Sequence, residues 1–176
     1  MALQQWWCER AWLGVESRAQ TSSEIDPGDG TDDSPSAVLI TTDNGRITAV
    51  EIGVECPAQA VRLEGLTIPA LANAHSHAFQ RGMRGRTQAG RGSFWTWRDN
   101  MFDVASRLDP DNYYELAKAV YSAMALAGIG VVGEFHYVHH QPNGALYADP
   151  NAMSGALVTA ATEVGIRITL LDTLYL

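Results

Sequence analysis

Two histidines separated by a single residue, His75 and His77, end an apolar run that starts at Thr67 and reads Thr67-Ile68-Pro69-Ala70-Leu71-Ala72-Asn73-Ala74-His75-Ser76-His77. On a β-strand alternate side chains share a face, so the two imidazoles can converge on one metal ion. Neutral imidazole suits zinc and similar first-row metals, and a parallel strand ending in such a pair sets it at the edge of an α/β sheet where function concentrates. The plainer alternative is a pair of loop histidines, each satisfied by a backbone hydrogen bond.

Charge is unevenly spread around this pair. Residues 75–98 contain Arg81, Arg84, Arg86, Arg91 and Arg98 and no acid, a basic neighbourhood that would draw a small anionic substrate. The chain as a whole carries a formal charge of −8, which argues against nucleic acid as a partner. Glu24, Asp26, Asp29, Asp32 and Asp33 all fall within residues 21–36. That stretch is rich in Ser, Gly and Pro with little to bury, and reads as a flexible acidic loop without chemistry.

Of 176 residues, 46% are hydrophobic and 18% charged, the balance of a soluble domain with a real core. No apolar run reaches the roughly 18 residues of a membrane span, and the N-terminus lacks the basic start and apolar stretch of a signal peptide. A cytoplasmic location is the default. Cys8 and Cys56 are far apart and lack metal-ligand spacing, so they are read as free thiols.

Elements must hold the histidines in place. Short apolar runs at Trp6 to Leu13 and Ala37 to Ile40 come first. Asn44-Gly45 then suits a two-residue type I′ turn, followed by a strand at Ile47 to Ile52 and apolar positions Val61, Leu63 and Leu66. Residues 1–66 thus read as a β-rich segment. Beyond His77, Asp109-Pro110 predicts an N-cap and first helical residue. Tyr113, Leu116, Ala117, Val120, Tyr121, Met124 and Ala127 keep helical spacing until Gly128.

That stripe is read as core packing rather than a cofactor box. A strand is predicted over Ile129 to Phe135, a second helix from Asp149-Pro150 to Gly165, and a strand over Ile166 to Leu171. Strand, helix, strand, helix, strand is the grammar of parallel βαβ units. The chain stops after Thr173-Leu174-Tyr175-Leu176 without a cap or polar tail, so a continuation is expected, and a three-strand piece is expected to be unstable alone.

Longer strings carry a family resemblance. Asn73-Ala74-His75-Ser76-His77-Ala78-Phe79-Gln80-Arg81, Ser93-Phe94-Trp95-Thr96-Trp97-Arg98 and Gly133-Glu134-Phe135-His136-Tyr137-Val138-His139-His140 resemble the amidohydrolase superfamily and, within it, the formimidoylglutamate deiminases. Tyr147-Ala148-Asp149-Pro150 and Leu170-Leu171-Asp172-Thr173-Leu174-Tyr175 extend the match. The histidine pair alone marks only the superfamily.

The resemblance implies an α/β fold: a small β-sandwich segment in residues 1–66, then the first three or so βα units of a (β/α)8 barrel in residues 67–176, incomplete here. It implies that His75 and His77 hold zinc, with Gln80, Arg98 and Tyr137 as substrate contacts. The reaction implied is attack on a formimino carbon, with release of ammonia and N-formylglutamate, as in histidine degradation. The family's third metal histidine, metal aspartate and proton-transfer glutamate and histidine belong beyond Leu176. No catalytic acid or base is therefore expected within these residues, and the piece should be inactive alone; a homodimeric full-length protein is compatible with the resemblance.

Each contact has a structural alternative: a loop glutamine for Gln80, an arginine stacked on Trp95 or Trp97 for Arg98, a buried satisfied hydroxyl for Tyr137. Glu134 is read as orienting its neighbours, and His136, His139 and His140 as structural or solvated. Two other functions stay open. One is another amidohydrolase acting on a neutral heterocycle such as guanine; the other is a non-catalytic metal-binding module.

Overall fold

Asn44 and Gly45 take φ of 48° and 75°, the left-handed pair that a type I′ turn needs. They join two strands, β2 (Ser36–Asp43) and β3 (Arg46–Ile52), in antiparallel register with Asp43 opposite Arg46. β1 (Gln4–Ala11) lies antiparallel to β2, and β4 (Val61–Thr67) lies parallel to β1. The order β3-β2-β1-β4 makes a single four-stranded sheet. Its small core gathers Cys8, Ala11 and Val38, with Leu13, Ile40 and Leu63 packed against them. The sandwich expected for this segment would need a second layer, which the described residues do not contain.

This computed structural model describes residues 3–14, 34–87 and 92–174. Most of the acidic stretch, Arg91, and the last two residues lie outside them. Contacts divide the chain into two compact units, Met1–Pro69 and Ala70–Leu176. Cys8 is buried and Cys56 half-buried, both free.

In the second unit three parallel strands stand in the order β5 (Leu71–Ser76), β6 (Ile129–His136), β7 (Arg167–Asp172). The sheet is open, not a closed barrel. Two helices, α2 (Pro110–Leu126) and α3 (Ala152–Val164), pack on it through Tyr113, Ala117, Val120 and Tyr121 from one and Met153, Leu157, Ala160 and Ala161 from the other. The helical stripe read from sequence forms this core from Tyr113 to Met124, while Ala127, its last member, is exposed at the C-cap.

Local chemistry sets the helix ends. The Asp109 side chain accepts from Asn112 N–H at 2.8 Å, Asn112 returns the bond to Asp109 N–H at 2.9 Å, and Pro110 occupies the first turn. Gly165, at φ 81°, ends α3 in the left-handed conformation that costs glycine least. Its start differs from expectation: Asp149 takes Asn151 N–H at 2.9 Å and closes a turn, so Asp149-Pro150 precedes α3 instead of opening it.

Two further elements bring residues toward the histidines. A 3-10 helix, Ala78–Met83, follows His77 directly, and α1 (Phe94–Ala105) begins with a Ser93–Thr96 capping box. The sequence reading identified neither. The cue for α1, a cap serine three residues before Thr96, sits in a string that also holds Phe94, Trp95 and Trp97.

Candidate metal centre

Strict alternation would put Asn73, His75 and His77 on one face of β5. The register against β6 shifts between Asn73 and Ser76, an irregularity of the kind that re-aims side chains near sites. Asn73 Nδ2 lies 3.7 Å from Met124 Sδ on α2, and Ser76 is buried opposite Glu134. His75 and His77 instead meet the Phe135 ring, at centroid distances of 6.2 and 5.4 Å. The close approach of the two strands here needs Gly133, since a Cβ there would come within 2.8 Å of the Ala74 carbonyl oxygen.

The two Nε2 atoms stand 3.0 Å apart. His77 Nδ1 lies 2.9 Å from the Phe135 carbonyl oxygen, which can only accept, so Nδ1 carries the proton and Nε2 presents a lone pair. An outer carbonyl of this kind orients and strengthens an imidazole ligand. Tetrahedral ligands at about 2.0–2.1 Å from zinc stand roughly 3.3 Å from one another, so the pair fits one such ion. It supplies two of the three or four protein ligands a catalytic zinc uses.

The neighbouring polar groups join this pair. Gln80 Nε2 donates to the Tyr137 hydroxyl at 2.9 Å, and the Tyr137 ring lies 5.3 Å from that of His77. Met101 Sδ on α1 sits 3.5 Å from the Tyr137 oxygen and 3.9 Å from Gln80 Nε2. Arg98, one turn earlier on α1, is exposed, its guanidinium 4.5 Å above the Phe102 ring and 6.0 Å from that of Trp95. The structure thus brings His75, His77, Gln80 and Tyr137 together and leaves Arg98 stacked on aromatic neighbours. An open cleft of about 420 Å³ runs past His77, Gln80, Arg81 and Arg84.

Glu134 holds the turn beneath the pair. Its Oε1 accepts from Ala78 N–H at 2.6 Å while the side chain is wholly buried. Burial pushes its carboxyl above the usual range, with the Ala78 N–H pulling the other way. Since adjacent residues on a strand face opposite ways, Glu134 and His136 lie on the helix-covered side of β6 and Phe135 on the side of the histidine pair.

A second group of metal-ligating side chains was missed from sequence. His136, His139 and Asp172 each bring one ligand atom within 4.8 Å of the others. No spacing rule links positions 136, 139 and 172; the signal is the register, which sets His136 directly beside Asp172 on neighbouring strands.

This histidine-bearing edge of an open α/β sheet belongs to a known class. A sequence model of the amidohydrolase family matches residues 66–175, and the chain belongs to that family. It is 44% identical over 119 residues to a formimidoylglutamate deiminase of Pseudomonas aeruginosa, a stretch covering 66% of this chain and 26% of that protein. Among solved structures it resembles an amidohydrolase from Brucella melitensis, with a TM-score of 0.77 and 32% identity over 95% of this chain and 34% of that one. An atrazine chlorohydrolase from Arthrobacter aurescens, solved with zinc, shares the fold, with a TM-score of 0.69 and 21% identity over 98% of this chain and 35% of the other. The chain spans about a quarter of the curated relative and about a third of these structures. Among the described residues no helix is long and apolar enough to cross a membrane.

Proposed function

We propose that this chain supplies the His75/His77 side of a zinc-dependent deiminase centre acting on N-formimino-L-glutamate. In this reading residues 67–176 are the opening βα units of a (β/α)8 barrel, and the remaining ligands and the proton-transfer groups come from elsewhere in the full-length protein. The observation that carries it is the convergence of two imidazole Nε2 atoms, one with its tautomer fixed by Phe135, next to the bonded Gln80–Tyr137 pair.

His75 and His77 would hold a divalent ion, and the chemistry it would supply is Lewis-acid activation of water near neutral pH. The chain's own residues supply position. The Gln80 amide and Tyr137 hydroxyl would hydrogen-bond the formimino group, and each orients the other through their mutual bond. Arg98 engages a substrate carboxylate with its planar fork. Stacking on Phe102 leaves the N–H edges of a guanidinium directed sideways, where a carboxylate can meet them. Glu134 fixes Ala78 and with it the chain immediately after His77.

Ammonia release from formimidoylglutamate by the full-length protein tests the reading. Expected is metal-dependent turnover that falls by several orders of magnitude in His77→Ala. Turnover of guanine but not of formimidoylglutamate would replace it with a heterocycle deaminase.

A further inference from the structure

His136 is 1% exposed, and its Nε2 has no hydrogen-bond partner among the described residues. An orphaned nitrogen in the interior is costly unless something meets it. It points toward Asp172 Oδ1 at 3.9 Å, and His139 Nδ1 approaches the same oxygen at 3.6 Å. Side chains from two strand ends and the loop after β6 thus aim three ligand atoms at one small volume.

The outer bonds leave those atoms able to bind. His139 Nε2 lies 2.6 Å from the Thr173 carbonyl oxygen, so it carries the proton and leaves Nδ1 bare. The Tyr113 hydroxyl stands 3.5 Å from His136 Nδ1, on the ring edge away from Asp172. Ser154 of α3 donates to Asp172 Oδ1 at 3.2 Å and steadies the carboxylate. Thr173 N–H bonds the His136 carbonyl at 2.8 Å, tying the two strand ends into one frame.

We propose that His136, His139 and Asp172 form a second divalent-metal site, separate from the His75/His77 pair and on the opposite, helix-covered face of the sheet. Two imidazoles and one carboxylate select zinc or a neighbouring first-row ion over magnesium or calcium, which prefer all-oxygen sets. Ligand atoms around such an ion stand roughly 3.3–3.6 Å apart. Asp172 Oδ1 already stands 3.6 Å from His139 Nδ1, and a small rotation of the exposed Asp172 side chain brings it nearer His136 Nε2. Solvent completes the shell on the exposed side of Asp172, and the ion staples the end of β6 to the end of β7.

The proposal stands whether or not the first site holds metal, and its test removes that site. Full-length protein carrying His75→Ala and His77→Ala is equilibrated with zinc, freed of excess and assayed for metal content, with circular dichroism confirming the fold. Expected is one zinc per chain from this site, and a melting temperature that rises with added zinc. His139→Ala or Asp172→Asn in that background should weaken binding by more than the roughly 10- to 100-fold that loss of an outer hydrogen bond costs. Ser154→Ala should fall within that range. Asp172→Asn in the otherwise unchanged protein should lower zinc content by one, a check that does not depend on the double variant folding. Metal content unaltered by Asp172→Asn, or no zinc retained by a folded double variant, would overturn the proposal.

Discussion

His77 donates its Nδ1 proton to the carbonyl oxygen of Phe135 across 2.9 Å, and this one bond turns its Nε2 toward that of His75. The acceptor is main chain, so no side-chain replacement removes it. It can be moved instead. Gly133→Ala would press a methyl on the Ala74 carbonyl at 2.8 Å and push β5 from β6. Expected is a loss of about 1–3 kcal/mol in denaturant unfolding, with reduced metal content at the histidine pair.

If the proposed deiminase reading holds, Arg98→Ala should raise KM for formimidoylglutamate by roughly 10- to 100-fold, the scale of a lost charge-assisted hydrogen bond, with metal content intact. Arg98→Lys should restore only part of this, because an ammonium lacks both the fork and the stack on Phe102. Unchanged steady-state kinetics in the alanine variant would remove Arg98 from the site.

Much of the unit around these residues could be read in advance. The Asp109 cap, the Pro110 start and the Tyr113 to Met124 stripe are local signals with local causes, and they reappear as α2. The Asn44-Gly45 turn is local in the same sense. The register shift at Asn73 is not, because a bulge depends on how the partner strand packs. The His136–Asp172 adjacency needs two strands paired in one register, and 35 intervening residues hide it.

Glu134→Ala should cost about 1–3 kcal/mol by leaving Ala78 N–H without its acceptor. Glu134→Gln keeps an acceptor oxygen and cannot ionise, so its stability relative to the native side chain should improve as pH rises. The sign follows from the raised carboxyl. The folded state holds its proton where the unfolded chain, at the ordinary value of 4.5, has released it. The native side chain therefore contributes most at low pH, and that contribution is lost as pH rises through the folded value. Urea melts of both variants across this range measure it.

His136 acts in the opposite direction. Burial lowers its pKa from 6.5 to about 4, with His139 adding to the effect and Asp172 opposing it. Between those values the unfolded chain binds a proton that the folded chain does not. Metal-free protein should therefore lose stability as pH falls from 6.5 toward 4, by up to about 3 kcal/mol at roughly 1.4 kcal/mol per pH unit. Melts in a chelating buffer should show this slope, and His136→Gln should flatten it.

Asp109→Ala removes the side-chain half of the α2 cap and should cost about 1 kcal/mol. Thermal unfolding reads this directly, and metal content should not change.

Metal stoichiometry across His75→Ala, His77→Ala and the double variant of the full-length protein asks whether one ion is shared by the two rings. Each single substitution should lower bound zinc by one per chain, and the double by one, not two. A double variant that loses two ions, or a single variant that loses none, would contradict a shared site.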